Sequence, residues 1–298
     1  MAAFHYNYAI VSRIPNSFKD KAITAGNEQI DVEKAREEYK ELLVVLQKCD
    51  INLIELQEDE KYPDCCFVED TAVVIGGTVL ITRPGHPSRQ GEVGEIRRVL
   101  KNDLHFNVSE MKEADAKLDG GDVLFTGKEI FVGVGKRTNN AGATAVATAF
   151  IDYDVVPINI GDTDVLHLKD AVNVIGREEL VVAGGDGPRT IMKRMDALKT
   201  FNYKILQMPS PLGADMLYLN GRLIHRTNEE LTKEGYGLLD EKLQCTRHQT
   251  SLRELSKAYG TISSMCILLR INRRIQKVLS NVTEPDLTQF LSIGHQKP

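Results

Sequence analysis

VVIGGTVLITRPG, residues 73–85, sets Gly76-Gly77 between two β-branched runs and ends on an arginine-led bend. Paired glycines supply the positive φ angles that a two-residue turn needs, so the stretch predicts a tight β-hairpin. The layout returns three times. VLFTGKEIFVGVGKRTN (123–139) turns around Thr126-Gly127-Lys128, VIGREELVVAGG (174–185) gives a third copy, and MLYLNGRLIHRTN (216–228) turns around Asn220-Gly221. Arg83, Arg137 and Arg226 each close a second strand, and the last two are followed by Thr-Asn.

Helical patterns alternate with these hairpins. Asp31 is placed to cap a helix over 32–48, with Val32, Ala35, Tyr39, Leu42, Leu43 and Leu46 on one face. A second pattern over 92–101 buries Val93, Ile96, Val99 and Leu100, and a third follows Thr138-Asn139 through Ala143, Val146, Ala149 and Phe150. A fourth starts at Pro188, with Ile191, Met195 and Leu198 inward. Strands at 5–12, 52–56, 154–160, 204–208 and 261–269 complete the units. Copies about 50 residues apart predict about five ββαβ-like units that bury their apolar faces only by packing around a common axis. The fold class read from this is an α/β propeller with functional side chains in a central channel, the alternative being an open mixed sheet flanked by helices. The domain spans 1–270. After Arg270 the hairpins stop, and 271–298 reads as an appended extension, partly helical or disordered.

Composition narrows the function. Lys+Arg 37 against Asp+Glu 42 gives a net charge of −5, without the basic surplus that a nucleic-acid partner would require. Cys49, Cys65, Cys66, Cys245 and Cys266 form no CxxC pair and no zinc-type spacing, so no metal is expected. An odd count of cysteines reads as reduced thiols in a cytosolic protein. The N-terminus lacks a secretory pattern, and no apolar stretch is long enough to span a membrane.

Four stretches and two arginines hold candidate chemistry, each with a plain structural alternative. Tyr62-Pro-Asp64-Cys-Cys-Phe-Val-Glu69-Asp70 sets acids beside an apolar run, with Asp64 and Asp70 sharing strand parity. Several carboxylates in one channel favour a planar cation, because a guanidinium donates paired hydrogen bonds to each; otherwise this is a turn and a solvated edge. Leu118-Asp119-Gly120-Gly121-Asp122 is a close-approach motif or simply a turn. His167 sits inside the apolar strand Val165-Leu166-His167-Leu168, as a general acid or a satisfied core residue. Gly260-Thr-Ile-Ser263-Ser264-Met265-Cys266 leads small polar residues into an apolar strand, presenting a nucleophile or burying an ordinary thiol. Arg89 and Arg137, just beyond hairpins, are either carboxylate anchors or surface arginines.

Taken together these stretches resemble the dimethylarginine dimethylaminohydrolases of the pentein, or guanidine-modifying, superfamily. PDCCFVEDTAVV, ITRPGHPSR, LDGGDVLFTG, KRTN and LHLK match in order and spacing, and the resemblance covers about residues 5–270. It implies a five-bladed α/β propeller of ββαβ units and hydrolysis of Nω-methylated arginines to citrulline and methylamines, with no metal or organic cofactor. The implied partner is a small guanidino or ureido amino acid, with no nucleic acid and no membrane, and the chain is expected to be a monomer or homodimer. By motif, Asp64, Glu69 and Asp70 would form the guanidinium environment, and Arg89 and Arg137 would hold the substrate carboxylate. Asp119 and His167 would be the catalytic acid residue and histidine. Ile23 falls where the family has a lid leucine, and Ala258 where a backbone carbonyl helps bind the α-amino group.

The chemistry implied is attack by a cysteine thiolate on the guanidinium carbon, departure of amine on a proton from His167, and hydrolysis of the covalent intermediate. Aligning GTISSMC on the family's terminal strand puts Ser264 at the nucleophile position. A hydroxyl is far less acidic than a thiol, so little or no hydrolase activity is expected of this sequence, with Ser264 read either as an engineered substrate-trapping substitution or as a natural change. A shifted register would make Cys266 the nucleophile. The remaining readings are a non-catalytic guanidino- or ureido-binding homologue, or a hydrolase of citrulline or arginine. Tyr259 replaces a family Asp, and Gly213-Ala-Asp215 replaces Ala-Ala-Asn.

Overall fold

A computed structural model describes residues 3–24, 26 and 28–271. In chain order its strands are β1 (Tyr8–Ser12), β2 (Asn52–Leu56), β3 (Ala72–Ile75), β4 (Thr78–Ile81), β5 (Asn107–Glu110), β6 (Val123–Phe125), β7 (Glu129–Val134), β8 (Asp154–Asn159), β9 (Val172–Gly176), β10 (Glu179–Val182), β11 (Lys204–Gln207), β12 (Met216–Leu219), β13 (Arg222–Arg226), β14 (Thr246–Thr250) and β15 (Ile267–Leu269). Its helices are α1 (Phe18–Lys21), α2 (Val32–Lys48), α3 (Val93–Arg98), α4 (Asn140–Ala149), α5 (Leu168–Ala171), α6 (Asp186–Leu198), α7 (Asn228–Lys242) and α8 (Arg253–Ser256).

The strands form five three-stranded sheets: β3-β4-β5, β6-β7-β8, β9-β10-β11, β12-β13-β14, and a fifth in which β15 joins β1-β2. In every blade the first pair is antiparallel and the second parallel, as between β3, β4 and β5. A helix crosses from the middle strand to the outer one. The hairpin turns behave as their sequences require: Gly76 and Gly77 have φ of 61° and 95°, and Asn220 and Gly221 have 52° and 75°.

Five apolar clusters hold the ring, each shared by adjacent blades. Leu42 and Leu46 of α2 meet Ala9 and Val11 of the first blade and Ile224 of the last. Ile10 and Ile54 meet Val79 and Ile81 across the next gap. The remaining gaps are filled by Leu80 with Ile130, Phe131 with Leu180, and Val181 with Leu223. The predicted five-unit α/β propeller is therefore the fold, and the open-sheet alternative is set aside.

Several details differ from the sequence reading. The strand expected over 261–269 is only Ile267–Leu269, because 262–265 is a turn. Leu198, expected to face inward, is the last residue of α6 and is exposed. Helix α7 was not anticipated; its pattern is interrupted at Thr232, which has a φ of 69°. Ile271 still belongs to the packed domain, buried and hydrogen-bonded through its N–H to Asn7 Oδ1 at 2.8 Å. The rest of the extension expected over 271–298 lies outside the described residues. Among the described residues no helix is long and apolar enough to cross a membrane.

Candidate active site

Most of the site's polar groups come from the turn just before each innermost strand, whereas Arg89 and Arg137 follow the middle strands β4 and β7. Glu69 and Asp70 lie in a short 3-10 turn (Val68–Thr71) before β3, and Asp119 caps another (Gly120–Asp122) before β6. His167 caps α5 before β9, Asp215 follows the turn before β12, and Ser264 lies in the turn before β15. These turns converge where the backbones can touch. A Cβ added to Gly120 would lie 2.0 Å from the Glu69 carbonyl oxygen, so the approach of the first two turns requires glycine.

A cleft at this convergence is lined by Ile23, Asp64, Phe67, Glu69, Asp70, Arg89, Gly121, Arg137, Leu166, His167, Lys169, Asp170, Ala258, Tyr259, Thr261 and Ser264. At its centre His167 Nε2 lies 2.8 Å from Asp119 Oδ2 and 4.0 Å from Asp70 Oδ1. Burial opposes a charge on this ring, but Asp70, the Asp119 hydrogen bond and Asp122 outweigh it and push His167 up to about 10. The ring is an imidazolium at neutral pH and donates to Asp119, which also accepts the Gly85 N–H at 2.7 Å. Burial likewise opposes the charge on Asp70, yet Arg89, His167 and the Gly121 N–H hold its carboxyl well below the usual range. Asp122, sequestered behind this group, is pushed up to about 7 by burial, against the pull of His167 and Thr138. Asp70, Asp119 and His167 bring ligand-type atoms within 4.8 Å of one another. Here the imidazolium proton already supplies their positive charge.

Arg89 is buried and largely committed. Its Nε reaches both Glu92 oxygens at 3.1 Å, its Nη1 reaches Asp70 Oδ2 at 2.5 Å, and its Nη2 reaches Phe67 O and Glu92 Oε2 at 2.8 Å. That arrangement fixes the acids rather than leaving an open fork for a ligand carboxylate. Arg137 is different: its Nη1 is buried with no hydrogen-bond partner among the described residues. Glu69 accepts from Lys169 Nζ at 2.5 Å and from Ser263 Oγ at 2.9 Å. Asp64 accepts the Ile23 N–H at 3.1 Å, and burial raises its pKa against the pull of Arg89.

Ser264 Oγ donates to the Thr261 carbonyl at 2.8 Å and accepts the Thr261 N–H at 2.9 Å. Its hydroxyl proton is thus spent on a local turn. Cys266 lines a separate axial cavity of about 140 Å³ with Lys169, Asn173 and the innermost strands, and burial raises its thiol pKa strongly.

A family model described as "N,N dimethylarginine dimethylhydrolase, eukaryotic" matches residues 4–231. The chain belongs to this family. The bovine protein named "putative hydrolase DDAH2" is 34% identical over 273 residues, covering 88% of this chain and 94% of its own length. A Streptomyces coelicolor protein named N(G),N(G)-dimethylarginine dimethylaminohydrolase is 32% identical over 244 residues, or 82% of this chain and 89% of that one. Among solved structures, a cysteine-to-serine mutant of the Pseudomonas aeruginosa enzyme, complexed with citrulline, superposes with a TM-score of 0.78 at 24% identity. It covers 89% of this chain and 100% of that one, and supports the fold. The dimethylarginine hydrolases act on guanidino C–N bonds, which places this chain in an enzyme family.

Every residue given a site role by the resemblance is either on the cleft or, for Asp119, one hydrogen bond behind it through His167, whereas Cys266, the nucleophile of a shifted register, is not on it. Two placements arise differently from expectation. Asp64 and Asp70 share the cleft through successive turns, not strand parity, and His167 caps a helix where a strand was expected. Glu92, Asp170 and Thr261 were missed. Glu92 carries no local signal, since its role appears only when Arg89, three residues earlier, folds back on it.

Proposed function

We propose that the cleft binds a guanidino or ureido amino acid, such as an Nω-methylarginine or citrulline, and that the chain with serine at position 264 turns it over little or not at all. Arg137 Nη1 would take the α-carboxylate, the one strong cation in the cleft with a buried donor to spare among the described residues. Ala258 and Ile23 would border the amino-acid end. Asp64, Asp70 and Glu69 would face the guanidinium, with Arg89 holding Asp70 in place.

The observation that carries the reading is the pairing of an imidazolium with an occupied hydroxyl. His167, held charged by Asp70 and Asp119, is an acid suited to protonating a leaving amine. It has no vacant lone pair with which to take a proton from Ser264. A thiolate needs no such base at the moment of attack, whereas an alcohol does. Serine with its proton on the Thr261 carbonyl therefore leaves the acid half of the reaction in place and removes the nucleophilic half.

The test is Ser264→Cys, assayed for citrulline and methylamine release from dimethylarginine, beside citrulline binding to the unsubstituted chain. We expect binding by both and turnover by the cysteine variant alone, with at least about 10³-fold separation, the scale on which loss of a nucleophile is felt. A folded Ser264→Cys variant without turnover would overturn the hydrolytic assignment. Equal turnover by both would overturn the assignment of position 264.

A further inference from the structure

Among the described residues Arg226 is the largest fully buried side chain, at 0% exposure, yet it does not line the cleft. It ends β13 and is ringed by partners from four segments. Its Nε pairs with Asp215 Oδ2, its Nη1 reaches Glu230 Oε1 at 2.9 Å, and its Nη2 reaches Ser256 Oγ at 2.6 Å and the Gly260 carbonyl at 3.2 Å. Asp215 uses its other oxygen on the same target. Oδ1 accepts the Ile262 N–H at 2.8 Å. The turn carrying Ser264 is thus gripped at two peptide groups, Gly260 C=O and Ile262 N–H, by one ion pair rooted in the neighbouring blade.

We infer that the Asp215–Arg226 pair is a positioning device that sets where the side chain at position 264 stands relative to His167. This rests on the reading of position 264 as the reaction centre. The physical need is plain. Residues 262–265 are a turn, and 261–266 make no strand pairing, since β15 begins only at Ile267. What fixes them is the Thr261–Ser264 bonding within the turn, two bonds to Glu69 (its N–H to the Ser264 carbonyl at 3.2 Å and Ser263 Oγ to its Oε2 at 2.9 Å), and this clamp. A buried arginine with two carboxylates is costly to desolvate, so its retention is better explained by geometry than by stability alone.

The two partners separate by substitution. Asp215→Asn keeps an oxygen for the Ile262 N–H and leaves Glu230 as the counter-charge of Arg226. Asp215→Ala removes the hold on the Ile262 N–H and one of the two carboxylates that anchor Arg226. Both are made in the Ser264→Cys background, reading kcat and KM for dimethylarginine and the iodoacetamide alkylation rate of the introduced thiol. We expect Asp215→Ala to lower kcat and the alkylation rate on the order of 10- to 100-fold, with KM within about threefold, because small displacements of reacting groups are felt on that scale. Asp215→Asn should stay within about threefold of its parent in both. If Asp215→Ala does not fold, Ser256→Ala, which frees one contact to Gly260 and Arg226, should give a smaller drop in the same two readouts.

Parent-like kcat and alkylation in folded Asp215→Ala, or in its Ser256→Ala substitute, would overturn the inference. So would an Asp215→Asn variant as impaired as Asp215→Ala. If the Ser264→Cys parent itself releases no citrulline, the hydrolytic reading fails on its own. The alkylation comparison then still decides this one.

Discussion

At the scale of single residues, His167 is the most consequential placement. Its pKa stands above that of an ordinary histidine, about 6.5, so the folded state holds a proton that the unfolded chain releases. The sign follows. The stabilisation is complete below about pH 6.5 and is lost as pH climbs to about 10. Urea midpoints measured from pH 6 to pH 10 should fall, with about 4 kcal/mol of that loss attributable to this one ring. The comparison is His167→Gln, which should lack that component; parallel pH curves for the two proteins would show that Asp70 and Asp119 do not hold the ring charged. The same residues mark how far single positions could be read from sequence. Asp119, Asp70 and His167 were visible because their motifs are contiguous. The commitment of Arg89 was not, since its partners Asp70 and Glu92 lie on opposite sides of it in sequence and meet only through folding.

At the scale of elements, the turns before the innermost strands matter more than the strands. Gly120 shows why: its missing Cβ lets the Asp119 turn sit against the Glu69 peptide, which brings Asp119 to His167 while Asp70 accepts the Gly121 N–H at 2.9 Å. Gly120→Ala should push these turns apart. The expected costs are about 1–3 kcal/mol of stability, the usual range for overpacking, and a weakening of citrulline binding beyond what the stability loss explains. Melting temperature and binding calorimetry on the same sample check this, and unchanged affinity would mean the two turns tolerate separation. The regular elements were legible because their signals are local. Asp31 caps α2 through the N–H groups of Glu33 and Lys34, as its position before an amphipathic run foretold. The failures have equally local causes. Gly-Thr-Ile-Ser-Ser looks like a strand, but Thr261 and Ser264 bond to each other and close a turn. Helix α7 was hidden by Thr232, Gly235 and Gly237, which break the apolar period that would have announced it.

At the scale of the whole molecule, the ring closes with the last strand of the domain lying against the first. β15 pairs antiparallel with β1, Tyr8 opposite Leu269 and Ile10 opposite Ile267, so the innermost strand of that blade comes from the far end of the sequence. Nothing local forecasts such a pairing, and the repeat spacing alone does not join the strands expected at 5–12 and 261–269 in one blade. The closure carries both stability and site. Ile267, Leu269 and Ile271 are buried between the first two blades, and each contributes about 1.5–3 kcal/mol on burial. Their sum is comparable to the whole stability of a domain, about 5–15 kcal/mol. A chain ending at Cys266 should therefore lose cooperative urea unfolding as followed by circular dichroism, and with it citrulline binding, since the Ser264 turn would have no strand to anchor it. A chain ending at Ile271 keeps the pairing and the Asn7 contacts, and should retain both. A cooperative transition at the parental midpoint for the Cys266 truncation would mean that four blades and a two-stranded remnant suffice, and that the ring is held by its inter-blade cores without closure.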